Sequence, residues 1–319
     1  MHKLPGRHGA ATRSRAITVL GIHAVRSAEE SGLFVAPWPG VLVDGARSGN
    51  VMTLAAAALE RGGPSAVLAG PTAAHLHGCT SVVPTPIHLL VPYENRLRTR
   101  PGLVVHNGAV PDDDRVVIHG MAALRLDRVV ADLLCRDEPD RALAVTDEAL
   151  RRVDPAQRED FRRVVADRLA VRTDPRGTMR GARLLALATG RAESPPESWL
   201  LFRVVDAGFP VPEVNWSLDG VDGRQVHRLD LAWPEPRIAI EYHGYAAHVG
   251  RTAEDEVRAK DIRRRGWIYI DVWADELHPG RYEQELVDAF RRRGIDMSRR
   301  RTGVLQARRH RDPLQRRRA

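Results

Sequence analysis

The pattern of apolar and polar positions predicts mainly helices in the first part of the chain. Helices are expected at 13–31, 50–63 and 71–78 and, with breaks at prolines, from about 122 to 189. Strands are expected as two short pieces within 33–43, around a Pro-Gly turn, and at 86–92, 103–107 and 115–119. This part is therefore predicted to be a helix-rich unit with a β wing.

The order of elements changes after a boundary near 190–196. The prediction is a helix from Pro195 to Gly208, strands 212–218, 225–233 and 238–242, helix 253–265, strand 267–273 and helix 281–293. The sequence thus predicts a mixed α/β (α+β) fold. Its predicted parts are a helix-rich region at 1–189, an α-β-β-β-α-β domain at 190–295 and a disordered basic tail at 296–319.

One predicted hairpin carries an acid on each strand. The prolines of "PEPR" (234–237) cannot donate ladder hydrogen bonds, so these four residues are predicted as the loop. Such a loop pairs Trp233 with Ile238 and places Asp230 opposite Glu241, whereas a two-residue loop would shift the register. Directly opposed residues have Cβ atoms about 5 Å apart, and two carboxylates that close repel unless one is protonated or a cation lies between them. Mg²⁺ or Mn²⁺ held by both acids would meet that need, and a solvated pair is the alternative.

Composition sets the class of protein. The chain has 319 residues, 43% of them hydrophobic, which suggests two domains with real cores. No apolar run approaches the ~18–20 residues that cross a membrane, and no apolar segment follows the basic N-terminus, so we expect neither a membrane partner nor a secretory signal. Two distant cysteines, Cys79 and Cys135, fit a reducing compartment, and a cytoplasmic protein is predicted.

The net charge of +8 is concentrated at one end. Residues 298–319 contain nine arginines and one aspartate, a balance of +8, so residues 1–297 hold 40 basic and 40 acidic side chains. The tail can bind polyanions without sequence preference. Residues 1–297 carry no net charge, so nucleic-acid binding by this part of the chain has to be inferred from other features of its sequence.

Such features are found in the hairpin and its surroundings. "HRLDLAWPEPRIAIEYHG", with "RRGWIYIDVWADEL" downstream, resembles the endonuclease-like domain related to very-short-patch repair nucleases. The family belongs to the PD-(D/E)XK superfamily, whose core is a mixed sheet flanked by helices. The resemblance covers about 190–293. It implies that Asp230 and Glu241 are the motif acids and metal ligands, and that Glu197 is the acid of the leading helix. A capping box with Ser194 is the alternative role for Glu197.

The chain departs from the superfamily at the motif lysine, which is replaced by His243. His243 and His248 keep the spacing of the histidine pair in the mismatch nucleases, so the resemblance implies a catalytic role for both. With an unperturbed pKa near 6.5, His243 is a candidate acceptor for a proton from water. Lys260 is a candidate substitute for the lysine, and a pair with Glu256 at i,i+4 is its alternative. The cysteines of the structural zinc site in those nucleases are absent.

Residues 13–150 resemble AbiEi-type antitoxin proteins of actinobacteria. "ESGLFVAPWPGVLV" matches their winged segment, and "AVLAGPTAAHLHGC" matches the helix that follows. This resemblance implies a module that binds DNA or a protein partner. Two functions stay open: a metal-dependent DNA endonuclease, which we favour, and a non-catalytic DNA-binding antitoxin or transcriptional regulator with a degenerate nuclease fold.

Overall fold

The structure, a computed structural model, describes residues 3–219, 225–244, 253–274 and 281–305. The chain divides into two compact units, Met1–Leu133 and Leu134–Ala319. The boundary predicted at 189/190 lies inside the second unit, since helices that follow Leu133 pack with the elements after it.

The first unit contains two sheets with helices. Its helices are α1 (Arg13–Leu20), α2 (Ile22–Glu30), α3 (Val51–Gly62), α4 (Gly70–Leu76) and α5 (Leu126–Arg136), the last of which runs across the division. Its strands are β1 (Ala10–Thr12), β2 (Phe34–Val35), β3 (Val41–Asp44), β4 (Val67–Leu68), β5 (Ile87–Val91), β6 (Leu103–Asn107), β7 (Arg115–Ile118) and β8 (Met121–Leu124). The sheet orders are β1-β3-β2 and β6-β5-β4-β8-β7.

Local sequence explains several of these ends. The predicted helix at 13–31 is broken at Gly21, which has a φ of 87° and separates α1 from α2. Asn50 caps α3 as predicted, because its side chain accepts a hydrogen bond from the backbone of Thr53. The predicted pair of short strands within 33–43 is present as β2 and β3. The expectation of helix from residue 122 is wrong at its start, where β8 pairs with β7.

The second unit consists of helices on a four-stranded sheet. Its helices are α6 (Pro139–Arg152), α7 (Arg158–Ala170), α8 (Thr178–Leu187), α9 (Pro195–Asp206), α10 (Ala253–Arg264) and α11 (Arg281–Arg292). Its strands are β9 (Glu213–Asp219), β10 (Gln225–Trp233), β11 (Ile238–His243) and β12 (Ile268–Trp273), in the order β12-β11-β10-β9. The β11–β12 pair is parallel and the other two pairs are antiparallel, so the predicted mixed α/β class is confirmed.

One face of the sheet is covered by α10. Ala259 and Ile262 of that helix form a buried cluster with Ala239 and Tyr269. Side chains two residues apart on a strand share a face. Glu241, two residues after Ala239, and Asp271, two residues after Tyr269, therefore lie on this same face. The packing of α10 therefore decides which groups meet those acids.

Part of the predicted basic tail lies against the second unit. Leu305 and Gly303 donate backbone hydrogen bonds to Asp206, at 3.0 and 2.7 Å. The guanidinium of Arg300 stacks over the ring of Phe209, 4.8 Å from its centre. Residues 306–319 lie outside the described part of the chain. Within that part, no helix is long and apolar enough to cross a membrane.

Candidate functional site

The hairpin between β10 and β11 has the predicted register. Trp233 faces Ile238 and Leu231 faces Ile240, so residues 234–237 form the loop. At the residue before Leu231, the side-chain carboxylate of Asp230 forms a hydrogen bond with the backbone of β11. Its Oδ2 accepts a hydrogen bond from the backbone N–H of Tyr242 at 3.0 Å. The register of Leu231 and Ile240, continued by one residue, brings Asp230 to Glu241 as the four-residue loop predicts.

Glu241 is a buried acid whose charge is met by an arginine. Its side chain is 4% exposed, and both of its oxygens accept hydrogen bonds from the guanidinium of Arg258 on α10. The hydroxyl of Tyr269 donates to Oε2 of the same carboxylate. Burial and the charge of Glu241 raise the pKa of Tyr269, so this tyrosine keeps its proton. The cation expected beside Glu241 is, in this structure, a guanidinium.

Asp230 is the acid of the cluster with the most perturbed titration. Burial raises its pKa, the negative charge of Glu241 raises it further, and Glu197 adds a smaller effect in the same direction. The hydrogen bond from Tyr242 and the charge of Arg258 act against them, and the resulting pKa is about 7. The charge of Arg258 is therefore too weak an effect to keep the pKa of Asp230 at its ordinary value.

Glu197, on the first turn of α9, is held by three donors. Its carboxylate accepts hydrogen bonds from the backbone of Glu193 at 2.8 Å, the hydroxyl of Ser194 at 2.8 Å and the amide of Asn215 at 3.0 Å. The capping box is therefore altered, because Glu197 reaches the residue before the cap and the Ser194 hydroxyl bonds to the carboxylate. These bonds give Glu197 a structural role, and its charge contributes to the raised pKa of Asp230.

His243 forms a dyad with an acid of the neighbouring parallel strand. Glu241 pairs with Asp271 and His243 with Trp273 in the ladder. Nε2 of His243 lies 2.8 Å from Oδ1 of Asp271, and its ring lies 4.7 Å from that of Trp273. The hydrogen bond with Asp271 raises the pKa of His243, and burial opposes it. The sequence suggested that His243 is a base with an unperturbed pKa. In the fold its pKa is raised instead.

Among the contacts of the described residues, no hydrogen bond or ion pair joins Lys260 to this cluster. Lys260 has a side chain that is 71% exposed and pairs with Glu256 at 3.8 Å, which is the alternative that its spacing allowed. His248 lies outside the described residues. Its role stays a prediction.

Sequence reasoning missed Arg258, Tyr269 and Asp271. A signal for the two strand residues is present, since Tyr269 and Asp271 alternate with apolar residues in "IYIDVW" as a strand with one polar face would. Arg258 had no such signal. It is one of several arginines on a polar helix, and only the packed position of α10 selects it.

The donor set at the cluster consists of hard carboxylate oxygens. Such oxygens suit Mg²⁺ and Mn²⁺, and Mg²⁺ commonly takes one or two protein carboxylates together with waters and substrate phosphate. Among the described residues no three His, Cys, Asp or Glu side chains are grouped so as to enclose a metal ion. The carboxylates of Asp230 and Glu241 are nevertheless the kind of ligand that such an ion takes, and in this structure Glu241 is paired with the Arg258 guanidinium.

Comparison with known proteins places the chain in a family. The uncharacterized protein Rv2248 of Mycobacterium tuberculosis H37Rv is 31% identical over 257 residues, which are 79% of this chain and 90% of that protein. The uncharacterized protein MT2308 of strain CDC 1551 matches equally. The chain belongs to the family of these two proteins.

Other comparisons add little. No family model matches the chain. The crystal structure of the RV2827C protein from Mycobacterium tuberculosis covers 67% of this chain and 84% of its own, at 15% identity and a TM-score of 0.38. That score is too low to support any conclusion about the site.

Proposed function

We propose that the protein is a metal-dependent DNA endonuclease of the PD-(D/E)XK type, which hydrolyses phosphodiester bonds at the cluster of Glu197, Asp230 and Glu241. One observation carries the proposal: burial, together with the negative charge of Glu241 and a smaller effect of Glu197, raises the pKa of Asp230 to about 7 although Arg258 lies beside it. Buried acids that repel each other are unfavourable for stability and are typical of functional sites. A divalent cation would relieve the repulsion.

Asp230 and Glu241 would hold the ion, which when bound supplies Lewis-acid activation of a phosphate oxygen and of water. Tyr269 fixes the Glu241 carboxylate through its hydroxyl. Glu197, held by Asn215 and the backbone of Glu193, adds negative charge next to Asp230. The buried surroundings strengthen each of these electrostatic effects.

His243 is assigned a different role from the one its sequence suggested. Because Asp271 raises the pKa of His243, the imidazole retains a proton at a higher pH than a free histidine. A protonated imidazole donates hydrogen bonds, so it suits contact with a phosphate oxygen or proton donation to the leaving oxygen better than proton abstraction. Asp271 orients the ring for either task.

The remaining parts of the proposal concern DNA and partners. The first unit, with α1, α2 and the β1-β3-β2 sheet, would bind DNA or a protein partner as the AbiEi resemblance implies. The arginine-rich end of the chain would add affinity without sequence preference. We place this activity in the cytoplasm.

A plasmid-nicking assay tests the proposal. Purified full-length protein should convert supercoiled plasmid to nicked or linear DNA with Mg²⁺ or Mn²⁺ and lose this activity in EDTA. The Glu241→Gln variant should lose it, while Glu256→Gln, an exposed acid on α10, should keep it. Cleavage by Glu241→Gln at the wild-type rate would exclude Glu241 as a metal ligand.

One observation favours a second candidate, a DNA-binding regulator without catalysis. Arg258 binds both oxygens of Glu241, the arrangement expected if an ion pair had replaced a metal. The absence of the motif lysine at His243 points the same way. Tight DNA binding that needs no divalent cation, together with no nicking in Mg²⁺ or Mn²⁺, would favour this candidate.

A further inference from the structure

Arg258 covers the carboxylate that the proposed function gives to a metal ion. Its Nη1 donates to Oε2 of Glu241 and its Nη2 donates to Oε1 at 2.5 Å. This two-pronged geometry is the strongest form of arginine–carboxylate pairing. Both oxygens of Glu241 therefore face a positive charge already, and a divalent cation that approaches Glu241 meets the repulsion of the guanidinium.

The side chain of Arg258 is nevertheless partly exposed to solvent. Its side chain is 32% exposed, compared with 4% for Glu241. Its Nη2 also donates to the backbone oxygen of Arg228 at 2.6 Å, so the guanidinium lies at the border between the acid cluster and the surface. A side chain of this length, anchored on α10, can leave Glu241 without a change in the fold.

The chemistry of the guanidinium indicates where it would go. Its planar fork fits the oxygens of a phosphate as well as those of a carboxylate. A phosphodiester bound beside the cluster would offer Arg258 a second partner. Glu241 would then remain charged beside Glu197 and Asp230, with no cation among the three acids. Their mutual repulsion would favour the entry of a divalent ion.

We propose that Arg258 is a latch, which weakens the binding of divalent cations at Glu241 in the free protein and transfers to a phosphate of bound DNA when a cation enters. This inference rests on the proposed function and deepens it. Arg258 is thereby a positioning residue whose movement couples the two ligands. By linkage, DNA must then raise the affinity for the cation, and the cation must raise the affinity for DNA by the same factor.

Calorimetric titration of the full-length chain with Mn²⁺ tests the latch. The Arg258→Met variant keeps the apolar stem and removes the competing charge, so it should bind Mn²⁺ about tenfold tighter than wild type, a change equivalent to ~1.4 kcal/mol. The matched control is Lys260→Met, which removes an exposed cation of the same helix and should leave the affinity unchanged. A short DNA duplex with phosphorothioate linkages, which keep the charge and resist cleavage, should tighten Mn²⁺ binding by wild type and not by Arg258→Met.

The outcomes separate the latch from the proposed function. Equal or weaker Mn²⁺ binding by folded Arg258→Met, or a DNA effect that persists in it, would overturn the latch and leave the metal site standing. No Mn²⁺ binding by either protein would remove the metal site and the latch with it. If Arg258→Met does not fold, Arg258→Lys replaces it, because lysine keeps the charge and lacks the fork. It should bind Mn²⁺ several-fold tighter than wild type, and an unchanged affinity in this variant would overturn the latch.

Discussion

Asp230 carries a measurable consequence of its surroundings, because its pKa in the folded protein is about 7 against an ordinary value of 3.8. Between these two values the native state holds a proton that the unfolded state has lost. The stability of the wild type therefore falls as pH rises from about 4 to about 7, and the deficit then stays constant. A pKa difference of about 3 units corresponds to about 4 kcal/mol.

The Asp230→Asn variant should remove this deficit. Asparagine cannot ionise, and its side-chain oxygen can still accept the hydrogen bond from Tyr242. We expect the variant to be more stable than wild type by up to about 4 kcal/mol at pH 8 and by less at pH 5. Urea denaturation in EDTA at both pH values measures this. A stability difference that is the same at pH 5 and pH 8 would show that the surroundings of Asp230 do not raise its pKa.

The pKa of His243 offers a second test. Asp271→Asn keeps the shape of the dyad and removes the negative charge that raises the pKa of His243. The imidazole should then titrate at a lower pH, as followed by NMR of the ring nitrogens and carbons. His77, whose pKa is lowered by burial, is the internal control and should follow the same curve in both proteins. An unmoved His243 curve would remove Asp271 as its partner.

The elements of the second unit are joined by a buried acid that sequence reasoning did not find. Asp147 of α6 accepts hydrogen bonds from the backbone of Thr189 and Gly190, both at 2.7 Å, and from the hydroxyl of Ser198 at 2.8 Å. Burial raises the pKa of Asp147, and these three donors oppose that effect. The acid thus fixes the segment that leads into α9 and, through α9, the position of Glu197.

Replacement of Asp147 by alanine should be strongly destabilising. The change leaves backbone N–H groups at Thr189 and Gly190 without their acceptor, and each loss costs about 1–3 kcal/mol. We expect the free energy of unfolding to fall by about 2–4 kcal/mol in urea denaturation. The control is Asp160→Ala, whose exposed pair with Arg163 should contribute less than about 0.5 kcal/mol. Equal effects of the two changes would contradict the anchoring role.

What the sequence could predict depended on how local each determinant was. The β10–β11 register followed from two prolines in a four-residue loop, so the meeting of Asp230 and Glu241 was predictable. Strand β1 has only three residues and exists through its pairing with β3, which no local pattern reports. Arg258 and Asp147 were missed for the same reason, since the packing of α10 and α6 selects them from similar neighbours on their own helices.

For the molecule as a whole, the net positive charge is concentrated in the last residues of the sequence. Residues 306–319 contain six arginines and one aspartate, whereas residues up to Leu305 include an anchored segment bonded to Asp206. A truncation after Leu305 therefore removes charge and leaves those contacts intact. Each phosphate contact contributes about −0.9 to the slope of log K against log salt.

The truncated protein should show a flatter salt dependence of DNA binding. Six arginines set a limit of about 5 units, and since not all contacts form together we expect a change of a few units. Binding isotherms of full-length and truncated protein at several salt concentrations measure the slope. Cleavage at saturating DNA should persist. An unchanged slope would assign the non-specific affinity to the folded units.

Calorimetric titration with Mn²⁺ is a direct test of whether Asp230 and Glu241 hold a divalent cation. Wild type and Glu241→Gln are compared, with Glu256→Gln as the exposed control on α10. Glutamine keeps the shape of the side chain and removes the charge that the cation needs. We expect one binding event per chain in wild type and the control, and at least a tenfold loss of affinity, about 1.4 kcal/mol, in Glu241→Gln. Equal Mn²⁺ binding by all three proteins would contradict the assignment of Asp230 and Glu241 as ligands of the cation.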